Sequence, residues 1–326
     1  MKFRSSILIP RVFDLTFIRN YKAGLFLRAA DYTKPEMVSL DNWKRLLWIA
    51  TDLKRVVQGN DRECLKYLST KHVTLLFEKP HGRFQMSFSL ACAILGARET
   101  SYYETNFENQ PNPGDSGRVF SQLTDLFVLH GIHNDVVTKF AMNSTVPVFP
   151  ATSNVHSLQK VLSDLMTLQE KFRRLKGLKM AWIGPPIPTL NTYLLLCPIF
   201  GININYLCLC AYGSGMMSPL KKTNSSIQEF KNAMETVKGA NIIATSMHPE
   251  EKTQITMEML KNADSEWVLL HTLPRSRAEV TDDVFYHENN LSWKSSANYL
   301  FVAMAVVLTS LQDYKPTTEM PNFDGN

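Results

Sequence analysis

Five cysteines in 326 residues, an odd number, exclude a disulfide framework as the organising device of this chain. Cys64, Cys92, Cys197, Cys208 and Cys210 sit mostly in apolar segments, the pattern of buried thiols in a reducing compartment. Cys208 and Cys210 share one face of an expected strand, but no second Cys or His pair lies nearby to complete a metal site. His130 and His133 have a spacing that helices use for metals, yet they fall at a strand end and in the following loop. Glycine is missing where a dinucleotide-binding turn needs it. After Gly184 the chain reads Pro185, Pro186, Ile187, Pro188, which removes N–H donors and argues against NAD. No dense Lys/Arg stripe with interleaved aromatics exists, so a nucleic-acid face is not expected; Arg173, Arg174, Lys176 and Lys179 read as a solvated helix end.

Acidic residues are scarce at the start. The first thirty residues hold Lys2, Arg4, Arg11, Arg19, Lys22 and Arg28 against Asp14 alone, with apolar residues between. The apolar stretch is broken by Pro10, Arg11 and Asp14 and is too short to span a bilayer. This is the pattern of a mitochondrial transit peptide, expected over residues 1–32, and it places the protein in the mitochondrial matrix with no membrane partner. Removing those residues takes away six bases and two acids, and the formal charge falls from +5 to +1. At 44% hydrophobic and 20% charged, the remainder can bury the cores of two ordinary domains.

The most informative stretch is 73–97, a strand through Val73, Leu75 and Phe77, a polar loop with Lys79 and Arg83, and a helix after Gln85. Cations at a helix start make an anion site, because unpaired N–H groups and the helix dipole point the same way. A helix is expected over 40–57 and a loop over 99–117. Strands are expected over 123–130 and 146–149, and an amphipathic helix over 156–172. The second half alternates strand and helix: strands at 178–184, 203–212, 240–246 and within 267–275, and a helix at 226–238 opened by a Ser226/Glu229 capping box. An apolar helix over 300–311 closes the chain. Such alternation gives parallel, doubly wound sheets with ligands at the carboxyl ends of the strands.

The segment Phe77, Glu78, Lys79, Pro80, His81, Gly82, Arg83, Phe84, Gln85 resembles the Phe-Glu-Lys-x-Ser-Thr-Arg-Thr-Arg phosphate loop of the aspartate and ornithine carbamoyltransferases, and the mitochondrial ornithine enzymes most. Further motifs follow in the family's order: DSGRV (115–119), HSLQ (156–159), HTLP (271–274) and EVTDDVFY (279–286). The resemblance covers about residues 40–314. It implies two doubly wound α/β domains, carbamoyl-phosphate-type over 33–155 and ornithine-type over 173–290, joined by the helix 156–172, with a C-terminal helix and tail over 291–326. It also implies a trimer, no cofactor and no metal. The catalytic positions it assigns are His271, Thr272 and His130; the substrate-binding positions are Lys79, Arg83, His156, Gln159, Leu273, Ser246 and Met247. Asp115 and Arg118 are expected to form a structural ion pair.

Several positions depart from the family pattern. His130 stands where the family polarises the carbamoyl carbonyl with Arg, Thr272 where it has Cys, Tyr299 where a late Arg holds the carbamoyl oxygen, Pro188 where an Asn contacts ornithine, and Ser246 where an Asp takes its amino group. Each lost charge-assisted hydrogen bond is worth about 1.5 to 3 kcal/mol, so three or four approach about 6 kcal/mol, or about ten-thousandfold in rate. The sequence therefore reads as an ornithine carbamoyltransferase homologue with impaired or absent catalysis, a homotrimer or a mixed trimer with an active paralogue, and a structural or regulatory role. The alternative is an active ornithine carbamoyltransferase with an atypical site, making citrulline and phosphate from ornithine and carbamoyl phosphate. A third reading, another small anion in place of carbamoyl phosphate, rests on Lys79, Arg83 and His81.

Overall fold

The computed structural model describes residues 32–59, 65–104, 111–209 and 226–325. Residues 1–31 of the expected transit peptide, Cys64 and Cys210 lie outside these residues; Tyr32, the last residue of that expected segment, is buried in the core. Two parallel sheets form the two halves. Sheet A contains β1 (His72–Phe77), β2 (Arg98–Tyr103), β3 (Leu126–Ile132) and β4 (Val148–Ser153) in the order β2-β1-β3-β4. Sheet B contains β5 (Lys179–Gly184), β6 (Asn203–Cys208), β7 (Ile227–Glu229), β8 (Ile242–Thr245) and β9 (Val268–His271) in the order β7-β6-β5-β8-β9. Every strand pairing is parallel.

Strand alternation sorts the apolar residues into three clusters. Val73, Leu75, Phe77, Met180, Trp182, Ile242 and Ala244 join one central core that runs through both halves. Leu76, Phe127 and Leu129 face α4 (Asn134–Asn143) on the outer side of sheet A, and Ala181, Ile183, Ile243 and Leu269 face the outer helices of sheet B. The central core is filled by α1 (Leu40–Gln58), α2 (Gly82–Leu95), α5 (Leu158–Phe172), α6 (Pro188–Ile199) and α10 (Ser292–Leu311). The last of these is long and apolar enough to cross a bilayer, but it packs against α1, α2 and α5. The tail after it is tied to α1: buried Asp52 accepts from the Tyr314 hydroxyl (2.6 Å) and from the backbone N–H groups of Thr317 and Thr318.

Four expectations are corrected. The stretch from residue 99 is not loop throughout: residues 98–103 form β2, a polar strand because it lies at the sheet edge, and α3 (Pro113–Phe120) starts after residues 105–110, which are not described. The Ser226/Glu229 capping box does not open a helix. Residues 227–229 add β7 to the edge of sheet B, and α7 (Ala233–Val237) is capped instead by Asn232, whose side chain accepts from the Met234 N–H at 2.8 Å. Arg118 donates to Asn143 (3.0 Å) across to α4 rather than pairing with Asp115. Arg83 sits in the first turn of α2, not in the loop before it.

The helix between the sheets carries charge inside the core. On α5, Lys160 reaches both oxygens of Asp164 at 2.5 and 2.7 Å, and both residues are buried. Asp164 also accepts from Tyr193 of α6 and from Ser295 of α10 (2.6 Å). One carboxylate thus ties three helices, each of its bonds to a buried partner. Removing it in Asp164→Ala leaves Lys160 charged and unpaired, and urea denaturation is expected to show a loss of about 3 to 5 kcal/mol. Tyr193→Phe keeps the ion pair and is expected to cost about 1 kcal/mol by the same measurement.

Candidate active site

The switch points of the two sheets lie between β1 and β3 and between β5 and β8, where doubly wound sheets open a crevice at their carboxyl ends. At the first, the loop after β1 brings His81 against His130 with ring centroids 4.5 Å apart, and Phe84 lies 4.4 Å from the same imidazole. Phe84 is buried, packed edge-on to Phe77 and tilted against Phe88. Burial, with His81 and Arg83 nearby, pushes His130 down to about 3, so its ring is neutral at physiological pH. Burial and Arg83 also lower His81. Lys79 points away; its side chain is 79% exposed and stands 3.7 Å from Glu78.

Arg83 crosses the cleft between the halves. Nη2 donates to the Thr272 carbonyl after β9 (3.1 Å), Nη1 to Ser296 Oγ of α10 (3.4 Å), and the guanidinium lies 5.0 Å from the Tyr299 ring centroid. Gln159 is buried beside it, donating to Ser87 Oγ (2.8 Å) and to the Tyr299 carbonyl (3.3 Å). His156 lies just before α5, its Nδ1 3.5 Å from Thr192 Oγ1; burial lowers its pKa. Arg83, Gln159, Thr272 and Tyr299 are therefore gathered in one place, whereas Lys79 is not.

His271 is turned to the opposite face of β9 from Thr272, against Phe285. Its Nδ1 accepts the Leu273 N–H at 2.8 Å, which leaves the proton on Nε2, 2.9 Å from Glu279 Oε1. Burial pushes His271 down to about 4 against the opposing pull of Glu279. Burial alone would raise Glu279, but the Ser276 hydroxyl and N–H, with His271, hold it below the usual carboxylate range. Leu273 follows with a positive φ of 45°. In the turn after β8, Met247 is half exposed, while Ser246 Oγ and His248 Nε2 are buried with no partner among the described residues. The sequence reading missed Lys160 and Asp164, the buried ion pair whose lysine also feels the charge of Arg83; their only signal was a charge pair four apart inside an apolar stripe.

Residues 30–170 match the family model described as aspartate/ornithine carbamoyltransferase, carbamoyl-P binding domain, and residues 176–310 match its Asp/Orn binding domain. The chain belongs to the aspartate/ornithine carbamoyltransferase family. Among curated relatives, the mitochondrial ornithine transcarbamylase of Gallus gallus is 28% identical over 91% of this chain and 90% of its own length. The mitochondrial ornithine carbamoyltransferase of Aquarana catesbeiana is also 28% identical, over 91% of each chain. Among solved structures, the Pyrococcus furiosus ornithine carbamoyltransferase shares the fold with a TM-score of 0.80 at 21% identity, over 90% of this chain and all of that one. The Thermus thermophilus enzyme gives 0.74 at 25% identity, over 84% and 96%. The chain is thus a homologue of the ornithine carbamoyltransferases, with two parallel α/β domains.

The buried His271 gives a pH signature. Its folded pKa lies below the ordinary value of 6.5, so the unfolded chain binds the proton first as pH falls. Stability from this group is complete above about pH 6.5 and declines toward pH 4, by up to about 1.4 kcal/mol per pH unit. Glu279 contributes in the same direction only below its ordinary 4.5. Urea midpoints between pH 7 and 5 are expected to fall less in His271→Gln than in the parent chain.

Proposed function

We propose that this ornithine carbamoyltransferase homologue has impaired or absent carbamoyl transfer and serves a structural or regulatory role in the mitochondrial matrix. Arg83 carries the reading. With Lys79 it is one of two phosphate-loop cations that the family resemblance retains, and two of its N–H donors are engaged by Thr272 and Ser296 while its face rests on Tyr299. An anion that takes the same two N–H groups must displace those contacts. Phe84 occupies a family Thr position with a buried ring, and neutral His130 occupies the position of the family's carbonyl Arg.

Amine attack on carbamoyl phosphate depends on positioned donors at the carbonyl oxygen and the leaving phosphate. A neutral imidazole offers one donor without charge where a guanidinium offers several with charge. The domains of this reading are carbamoyl-phosphate-type over 33–155 and ornithine-type over 173–290, with carbamoyl phosphate or another small anion as the ligand of the first. A homotrimer, or a mixed trimer with an active paralogue, goes with it. Met86 (73% exposed) and Leu90 (50%) stand on α2 beside β2, the edge strand of sheet A among the described residues, where Tyr102 and Tyr103 are half-exposed, a surface suited to a covering subunit.

The test is citrulline formation by residues 33–326 at millimolar carbamoyl phosphate and ornithine, beside the Gallus gallus relative. Turnover about ten-thousandfold below that relative is expected. Comparable turnover establishes the active alternative and retires this reading. Light scattering is expected to give a trimer mass that falls to the monomer in Met86→Glu/Leu90→Glu; a monomeric parent chain would remove the subunit proposal.

A further inference from the structure

The chain after α10 runs back across the molecule as a strap. Trp48 of α1 donates its indole N–H to the Thr318 carbonyl (3.1 Å), and farther along the Phe323 carbonyl accepts from the N–H groups of Leu175 and Lys176 (2.9 and 3.1 Å). Between these anchorages the strap bridges α1 and the last turn of α5, and a cavity of about 260 Å³ opens there, lined by Thr51, Gln169, Glu170, Arg173, Pro321 and Asn322. This place is remote from the cleft, because Gln159 and Gln169 stand about 15 Å apart along α5.

The polar groups of the cavity are one-sided. Gln169 is 7% exposed, and its Nε2 donates to the Asn322 carbonyl (3.0 Å). A carbonyl only accepts, so that bond fixes which end of the amide is oxygen. Oε1 has no hydrogen-bond partner among the described residues. Thr51 gives its proton to the Leu47 carbonyl (2.9 Å), which leaves its oxygen only lone pairs to offer. The Glu170 carboxylate is committed to Lys54 (2.6 Å), Lys294 (3.1 Å) and Asn298 (3.4 Å). Arg173, the C-cap of α5, adds an exposed guanidinium.

These groups narrow the occupant. An unrelieved buried acceptor calls for an N–H donor. An ammonium would be repelled by the two lysines that already hold Glu170, whereas a neutral amide N–H meets no such opposition. Arg173 matches a carboxylate at the other end of the ligand. The methylenes of Glu170 and Arg173 and the ring of Pro321 suit a short aliphatic link. A cavity of about 150 Å³ already admits benzene, so a ligand of about eight heavy atoms fits here.

We propose that the cavity under the C-terminal strap binds a small aliphatic carboxylate carrying a terminal amide or ureido group, its N–H groups toward Gln169 Oε1 and Thr51 Oγ1 and its carboxylate on Arg173. The site stands whether or not the cleft transfers carbamoyl groups.

The experiment is calorimetric titration of the full chain with succinamate, beside butyrate, which lacks the amide, succinamide, which lacks the charge, and 4-aminobutyrate, which carries an ammonium. Succinamate is expected to bind saturably and about tenfold more tightly than each of the others. Arg173→Gln, at an exposed position, is expected to weaken succinamate about tenfold, and Thr51→Leu, which fills the cavity, to abolish its binding. Arg83→Gln, in the cleft, is expected to leave it unchanged. In the chain labelled with 15N at tryptophan, succinamate is expected to shift the indole N–H resonance that disappears in Trp48→Phe, because that group is bonded to the strap. The proposal is overturned by the absence of saturable binding, by preference for 4-aminobutyrate, or by binding that Arg83→Gln removes and Arg173→Gln and Thr51→Leu do not, which puts the ligand in the cleft.

Discussion

The buried carboxylate of Asp164 is the constraint on which the arrangement of the two halves depends. It lies on the helix that runs between the sheets and holds Lys160 of its own turn, Tyr193 from sheet B's first crossover helix and Ser295 from the C-terminal helix. A charged pair in an apolar interior is stabilising only while every bond is made, so these three helices tolerate little relative movement. Apolar packing alone, which is non-directional, would allow α5 to slide or rotate. The polar cluster selects one arrangement. The cleft inherits its geometry from it, because Arg83 reaches across to Thr272 and Ser296 only when α10 stands where Ser295 anchors it.

Much of this was legible in the residues. The strands at β5 and β8 are near-continuous apolar runs, as expected for parallel strands covered on both faces, β1 shows Val73, Leu75, Leu76 and Phe77, and the helices at α1 and α5 show their stripes plainly. The polar edge strands were not legible. Residues 98–103 read Arg-Glu-Thr-Ser-Tyr-Tyr and bury almost nothing, so their hydrophobic pattern is silent and only pairing with β1 makes them a strand. Residues 227–229 failed the same way, and a chance Ser-x-x-Glu spacing favoured a helix there. Within the site, the family motifs singled out Arg83, Gln159 and Thr272, and the structure places Arg83 against Thr272 and both Arg83 and Gln159 against Tyr299. The direction of a side chain is a tertiary property: nothing in the sequence turns Lys79 outward, or sends His271 to the face of β9 away from Thr272.

Rings and neutral groups pack this end of the cleft. Phe84 and His130 fill space at the end of β1 and β3, Tyr299 lies under Arg83, and Ser246 is buried after β8. Aromatic contacts of this kind hold the loop after β1 against β3 without a buried unpaired ion. The His271–Glu279–Ser276 chain survives at the same time, since it fixes the turn through Leu273 rather than depending on any ligand.

The C-terminal helix and tail serve the opposite end of the sequence. α10 packs on α1, α2 and α5, and the segment after it closes over α1 through Asp52, Arg45 and Lys44. During synthesis, sheet A and its helices therefore emerge from the ribosome with their inner face uncovered and wait for about 140 further residues before their last wall begins to arrive. A premature stop near residue 290 would spare every strand of both sheets and still deprive the first domain, not the last, of its core.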